Sequence, residues 1–380
     1  MDEVFMRRAI ELAKKREGFT SPNPCVGAVI VKGGQIVAEG WHEKAGADHA
    51  EIMAIKQMMQ KSGIMTVDIE PMLFHNATLY VTLEPCAHTG KTPPCVKAVA
   101  TAGFSKVVIG MKDPFQKVNG KGISYLKKHG IKVSVLKPTS KLAEEVRSIN
   151  QPFIKNVTLG LPYLTLKAGL SLDGKIATFT KDSRWITCEK SRLDAKLERS
   201  KCDAVIIGAS TVMNDNPELA TIGEYKSKNI LRVIVGDKLD FKKDMKIFRD
   251  ENVLIACSDN ISLRLKKKLI DASVSVKSFG KSKVVFKKLL KYLASNGIQS
   301  VFVEGGSGIN GSLFDENLSD SKLVDRVLFY YAPKLVGGTH SLSIIGGAGI
   351  AKISDSIDVV KSKFDILDGD LKYEGLINFY

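Results

Sequence analysis

Two cysteines, Cys86 and Cys95, stand eight residues apart in the stretch EPCAHTGKTPPC, and the residue types around them limit the chemistry available. Six cysteines in 380 residues is sparse, and an N-terminus without a signal-peptide pattern suggests a reducing cytoplasm, where a structural disulfide is not expected. A redox dithiol more usually has C-x-x-C spacing. Metal ligation or catalysis remains. Upstream, in WHEKAGADHAEIMAI, His49-Ala50-Glu51 opens a helix, with Asp48 placed to cap it. A zinc ion that does chemistry needs three protein ligands and an open fourth position for water. His49, Cys86 and Cys95 offer one imidazole and two thiolates, which leave a metal able to lower the pKa of its bound water. Cys95 follows Pro93-Pro94, which suit a first helical turn, and a helix N-terminus there favours thiolate over thiol. Glu51 is not needed as a ligand and can move a proton from that water to a leaving amine.

H-x-E followed by P-C is the arrangement of the zinc deaminases. Two rivals stay open. A noncatalytic zinc domain would need a fourth protein ligand, for which His88 is close in sequence. A zinc deaminase of RNA or nucleosides, with a C-terminal binding domain, would account for the net charge of +15. Such deaminases typically keep two residues between the cysteines, where this chain has eight. The lysines are also scattered, as at Lys117, Lys127, Lys243 and Lys267, with no aromatic interleaving to stack bases, so no nucleic-acid partner is expected. A diffuse positive field steers a phosphorylated small molecule equally well.

The length favours two domains, and no apolar run approaches the ~20 residues of a membrane-spanning helix. Phe5, Ala9, Leu12 and Ala13 predict an amphipathic first helix. Strands at 26–31 and 35–41 flank Lys32-Gly33-Gly34, a hairpin pattern. A helix at 50–59, strands at 77–83, 106–111 and 132–136, and helices at 94–102 and 120–129 complete a three-layer α/β domain. The weakly patterned stretch 137–160 carries the join. A second α/β block opens at 163–177, with strands at 204–209, 231–236, 253–258, 300–305 and 324–333 and helices at 189–200 and 284–295. Residues 222–229 and 315–322 read as polar surface loops. Gly306-Ser307-Gly308-Ile309-Asn310-Gly311 matches G-x-G-x-x-G, but it follows several strands instead of the first, so the Rossmann fold does not follow. The glycines would still let backbone N–H groups meet a phosphate at a helix N-terminus.

The expanded cysteine loop closely resembles the deaminase half of the bifunctional riboflavin-biosynthesis deaminase/reductases. So do Ser21-Pro22-Asn23-Pro24 with Val26-Gly27, Gly40-Trp41-His42 and Tyr80-Val81-Thr82-Leu83-Glu84. Their reductase half is resembled by Leu166-Lys167-Ala168, Ser171 to Ala177, Ser183 to Thr187, Val303 to Gly306 and Tyr331-Ala332-Pro333, together with Gly208, Thr211, Asp215, Pro217 and Leu219. The resemblance implies a cytidine-deaminase-like three-layer domain over 1–147 and a dihydrofolate-reductase-like domain over 148–380. It implies zinc in the first and NADPH in the second. Asn23 and His42 would line the pyrimidine pocket, and the 88–92 loop would touch the substrate. Gly169, Trp185, Thr211, Asp215 and the turn Gly306, Ser307, Gly308, Ile309, Asn310, Gly311 and Ser312 would hold NADPH. Ser183, Arg199, Leu219 and Glu304 would hold the phosphorylated pyrimidine substrate, Arg199 because a guanidinium grips phosphate bidentately. Asp215 and Glu304 are the carboxylates that could supply a proton to the reduction.

Three positions depart from the family pattern. Phe115 replaces an Asn, Asn216 replaces an Asp, and Ile222 stands where an arginine is expected. A lysine such as Lys226 or Lys228 would then share the phosphate. The implied activity is two successive steps: deamination of 2,5-diamino-6-ribosylamino-4(3H)-pyrimidinone 5′-phosphate, then reduction of the ribosyl group to ribityl. The implied enzyme is a cytoplasmic homo-oligomer, dimer or tetramer, with no membrane partner.

Overall fold

The computed structural model describes residues 2–64, 69–87, 93–115, 118–318 and 322–378. The chain forms two compact units, 1–160 and 161–380.

The first unit runs α1 (Asp2–Lys14), β1 (Gly27–Lys32), β2 (Gln35–Trp41), α2 (Ala50–Lys61), α3 (Pro71–Phe74), β3 (Ala77–Leu83), α4 (Cys95–Ala102), β4 (Lys106–Met111), α5 (Lys121–Lys128), β5 (Lys132–Val135), α6 (Lys141–Ile149) and α7 (Gln151–Leu159). Its sheet has the order β2-β1-β3-β4-β5. β1 is antiparallel to both neighbours, and β3, β4 and β5 are parallel. Gly33 and Gly34, both at positive φ, close the β1–β2 hairpin with the backbone twist such turns need. α1 and α6 pack together over one face, and α2 and α4 over the other, which is the expected three-layer arrangement.

One close approach sets α2 against the sheet. A Cβ at Gly40 would lie 2.2 Å from the Ala50 carbonyl oxygen and 2.5 Å from the Ala54 nitrogen. The first turn of α2 therefore rests directly on β2, and His49 and Glu51 take their position from that contact.

The stretch 137–160 holds two helices, and the units divide after Gly160, where the sequence places the join at 147/148. Asn150, between α6 and α7, accepts from the Cys25 nitrogen at 2.8 Å and donates to the Cys25 carbonyl at 3.1 Å. Phe153 and Ile154 of α7 then pack on the first unit's core.

The second unit contains β6 (Tyr163–Ser171), β7 (Lys175–Ala177), α8 (Glu189–Lys201), β8 (Ala204–Gly208), α9 (Ala209–Asp215), β9 (Leu231–Val235), β10 (Val253–Cys257), α10 (Leu263–Asp271), β11 (Ser275–Ser278), α11 (Phe286–Ser295), β12 (Ser300–Val303), α12 (Ser307–Glu316), β13 (Arg326–Ala332), β14 (Leu342–Ser343), β15 (Val359–Leu367) and β16 (Asp370–Ile377). Nine strands form one sheet in the order β11-β10-β9-β8-β12-β6-β13-β16-β15. Every pair from β11 to β13 is parallel, and β16 and then β15 extend the far side antiparallel. β8 is buried at all five positions, as a parallel strand covered on both faces should be. Leu289, Leu290 and Leu293 of α11 pack on one face, and Val212 of α9 and Leu269 of α10 on the other.

Two expected surface loops differ. Within 222–229 the chain makes a 3₁₀ turn that buries Tyr225. Asp315 and Glu316 end α12, and the buried Asn317 accepts from the Leu323 and Val324 nitrogens. Among the described residues no helix is long and apolar enough to cross a membrane. Gly40→Ala should push α2 off β2 and destabilise the chain by about 1–3 kcal/mol, the usual range for overpacking, read as a lower urea midpoint.

Candidate active sites

His49 Nδ1, Cys86 Sγ and Cys95 Sγ lie within 4.8 Å of one another. Each comes from an element end: His49 is the N-cap of α2, Cys86 follows β3, and Cys95 begins α4. His49 Nδ1 is 2.9 Å from Cys95 Sγ and 3.7 Å from Cys86 Sγ. One imidazole nitrogen and two sulfurs are a donor set that suits zinc. Among the described residues no fourth His, Cys, Asp or Glu joins the group. His88 and the 88–92 loop lie outside the described residues.

Two local expectations change. Asp48 does not cap α2. The extended backbone of His49 occupies the cap, and the Asp48 carboxylate accepts from Lys56 at 2.6 Å. The helix N-terminus at Cys95 serves the other thiol, because the Cys95 N–H donates to Cys86 Sγ at 3.2 Å. Hydrogen bonds from the Cys95 side chain, from His49 and from that N–H hold the Cys86 thiol well below its ordinary value. Cys95 is pushed up, because its hydrogen bond to Cys86 keeps the shared proton on it.

Glu51, two residues past His49, is 3% exposed, and burial pushes its carboxyl up to about 7. His42 is also buried, not a surface side chain. Its Nδ1 lies 3.0 Å from the Asp48 carbonyl and its Nε2 3.0 Å from Asn23 Nδ2. A carbonyl only accepts, so Nδ1 carries the proton and Nε2 accepts from Asn23. Burial lowers the pKa of His42 and keeps it neutral. The ring packs edge-on to His49 at 5.2 Å, so Asn23 and His42 do stand beside the metal-facing group.

In the second unit a cavity of about 1440 Å³ is lined by Gly169, Ser183, Trp185, Arg199, Thr211, Asp215, Leu219 and Glu304. The N-terminal half of α12 and its cap face it through Gly306, Ser307, Gly308, Ile309 and Ser312. Asn310 and Gly311 do not line it. Asn310 donates to the Ile344 carbonyl at 3.0 Å, and Gly311 packs against Gly346 and Gly347. A Cβ at Gly306 or Gly308 would meet nothing within 4 Å, so a ligand can come close to the unpaired N–H groups of the first turn of α12. With Lys238, Lys246 and Lys283 on the same cavity, the surroundings fit the phosphates of NADPH.

Arg199 is 5% exposed and already engaged: one terminal nitrogen meets Glu304 at 2.8 Å and the other the Ala220 carbonyl at 2.7 Å. Burial raises the pKa of Glu304, but Arg199, then Lys167 and Lys196, outweigh it and keep the carboxylate below its ordinary value. Trp185 is 62% exposed, with the Arg192 guanidinium 4.4 Å from its ring, so core packing does not explain it. Asp215 accepts from Arg184 at 3.2 Å. Asn216 ends α9 in the left-handed conformation that Asn tolerates, and its Oδ1 accepts from the Lys246 nitrogen at 2.9 Å. An aspartate could accept the same bond, so this departure preserves the turn. Lys228 is not free to share a phosphate, because its ammonium lies 3.6 Å from Asp203 and donates to the Lys201 carbonyl at 2.8 Å.

A half-buried zinc-ligand set in one α/β unit and an open cavity beside a helix N-terminus in a second define a deaminase joined to a reductase. The comparisons agree in both halves. The cytidine and deoxycytidylate deaminase zinc-binding region matches residues 1–111, and the RibD C-terminal domain matches 162–366. The riboflavin biosynthesis protein RibD of Bacillus amyloliquefaciens is 40% identical over 93% of this chain and 91% of its own. Two solved structures cover 99% of both chains. RibD of Acinetobacter baumannii has a TM-score of 0.84 at 32% identity. The Thermotoga maritima diaminohydroxyphosphoribosylaminopyrimidine deaminase/5-amino-6-(5-phosphoribosylamino)uracil reductase has 0.80 at 35%. The chain belongs to the RibD family of riboflavin biosynthesis, bifunctional enzymes with a zinc deaminase domain and an NADPH-dependent reductase domain. Its second half is the family's reductase domain, so an RNA-binding module is set aside.

Sequence reasoning gave Glu84 no role beyond its place in the resemblance and missed Lys196, because their surroundings exist only in the folded chain. Glu84 is 3% exposed and accepts from the Asp113, Gly120 and Ile123 nitrogens at 3.2, 2.9 and 3.1 Å. It ties the turn carrying Phe115 to the chain just before Cys86. Glu84→Ala should cost about 3 kcal/mol or more by leaving three amides unpaired. Hydrogen exchange should accelerate at Asp113, Gly120 and Ile123; protection unchanged there would refute the clamp.

Proposed function

We propose that the first unit deaminates 2,5-diamino-6-ribosylamino-4(3H)-pyrimidinone 5′-phosphate and the second reduces the ribosyl group of the product to ribityl. The observation that carries this reading is the convergence of His49, Cys86 and Cys95 beside a buried Glu51. These three would hold zinc, which supplies Lewis acidity toward water when bound. Glu51, with its carboxyl near neutrality, is poised to take a proton from water and give it to the departing ammonia. Asn23 and the neutral His42 fix one side of the pyrimidine. His42 in this tautomer keeps Nδ1 on the Asp48 carbonyl, and its ring orientation is thereby set.

In the second unit NADPH supplies the hydride. Gly169, Trp185, Thr211, Asp215 and the first turn of α12 hold the cofactor, while Ser183, Leu219, Glu304 and Arg199 face the substrate. Glu304, held below its ordinary value by its cationic neighbours, can accept a hydrogen bond from a substrate hydroxyl.

We further infer a homo-oligomer in the cytoplasm. β15 forms the edge of the large sheet and exposes Phe364 and Ile366 at 62% and 67%, an edge that a second copy would cover. The thiols of Cys86 and Cys95, both free, are metal ligands only when reduced.

Glu51→Gln should keep stoichiometric zinc and lose ammonia release by about 10²–10⁴-fold. A variant that releases ammonia at a near-normal rate would remove Glu51 from the mechanism. In the unaltered protein, ammonia should appear without NADPH and substrate-dependent NADPH oxidation should follow its addition. Ammonia without oxidation would confine activity to the first unit. Light scattering should give a multiple of the 41.5 kDa chain, and Phe364→Asp should lower that mass.

A further inference from the structure

We propose that Lys196 supplies, beside Arg199, the phosphate-gripping charge that position 222 lacks in the reductase cavity. The inference rests on the reductase reading given above and specifies one residue of it. Arg199 is only partly available as a grip. Its charge is matched by Glu304 at 2.8 Å, its second terminal nitrogen is held by the Ala220 carbonyl, and only Nε has no partner. A phosphate dianion reaching Arg199 meets a guanidinium whose charge Glu304 already shares, so Arg199 alone offers it little net charge.

Lys196 has none of these ties. It lines the cavity one turn before Arg199 on α8, is exposed, and its ammonium makes no hydrogen bond or ion pair among the described residues. Residues three apart on a helix are neighbours, so the ammonium stands beside the Arg199–Glu304 pair, where its field also reaches Glu304. The geometry further links Lys196 to Ile222, the position without the expected arginine. Ser200 Oγ donates to the Lys196 carbonyl at 2.7 Å and accepts from the Ile222 nitrogen at 3.0 Å. Position 222 is therefore fastened to the helical turn that carries Lys196, and both side chains face the cavity. An apolar Ile222 offers a phosphate nothing, whereas a flexible ammonium with three free donors one turn away does. Of the other lysines near this wall, Lys228 is engaged with Asp203, Lys226 does not line the cavity, and Lys167 stands on β6, away from the helical turn fastened to position 222.

The test compares the unaltered protein, Lys196→Ala and Lys196→Arg. The substrates are 5-amino-6-(5-phosphoribosylamino)uracil and its dephosphorylated counterpart. Losing a charged hydrogen bond typically costs about tenfold or more in affinity. Lys196→Ala should therefore raise KM for the phosphorylated substrate about tenfold, with kcat and the KM of NADPH within about twofold. On the dephosphorylated substrate its kcat/KM should match that of the unaltered protein, and Lys196→Arg should recover most of the loss. Adding Ile222→Arg to Lys196→Ala should restore binding in part. Equal losses on both substrates, a rise confined to NADPH, or an unchanged KM for the phosphorylated substrate would each overturn the proposal. Calorimetric titration of the phosphorylated substrate without NADPH repeats the comparison with no turnover. If the unaltered protein fails to oxidise NADPH, the reductase reading falls, while the titration still decides the role of Lys196.

Discussion

The first site depends on where β3 ends. A parallel strand delivers its chain at the C-terminal edge of the sheet, and the helix that follows must begin there too. Cys86 leaves β3 and Cys95 opens α4 at that same edge, so two ligands separated by eight residues face one point. The third arrives by a different route, since α2 rests on β2 through the bare backbone at Gly40 and projects His49 from its cap. Glu84 then fixes the strand end from behind by collecting three amides from the turn after β4. No single element holds the site. It is the intersection of a strand end and two helix starts.

The second site is organised by the two faces of α8. Asp194 and Glu198 point toward β13 and β16, where Asp194 accepts from Tyr330 and Lys372 and Glu198 pairs with Arg326, itself shared with Glu374. The opposite side carries Arg192, Lys196 and Arg199 to the cavity. The acidic side is anchored by neighbours of opposite charge, which holds the basic side in place without neutralising it. A helix free to rotate would let its own carboxylates turn toward an anionic ligand. The ion network forbids that rotation.

Much of this was legible in the sequence because it is local. The H-x-E and P-C residues, the Gly33-Gly34 turn and the apolar runs of β3 and β8 are readable without a fold. Of the two helices at 141–159, α7 was not, since it buries only Lys155 fully and so lacks a clear apolar stripe, whereas α6 does carry Leu142, Val146 and Ile149 at helical spacing after the Ser140 cap. Asp48 looks like a cap in sequence but lies one residue too early. The Cys95 N–H was expected to act on its own thiol and acts on Cys86 instead, a contact set by how the loop returns. Trp185, Glu84 and Lys196 show the same limit. Their exposure or partners depend on residues far away in the chain, and no spacing rule reports that.

The strand order of the second unit also bears on how it comes to exist. β6 opens the unit, yet its partners are β12 and β13, which close to the end of the chain supply Ser300–Val303 and Arg326–Ala332. During synthesis β6 therefore emerges with both edges open and waits for most of the unit to be made. Loop closure over such separations is slow, and unpaired edges are exposed to other chains meanwhile. The first unit is under no such constraint, because β1 meets β2 across a two-glycine turn and its five strands are complete by Val135. One half of the chain can fold as it is translated, whereas the other is settled only once β12 and β13 have been made.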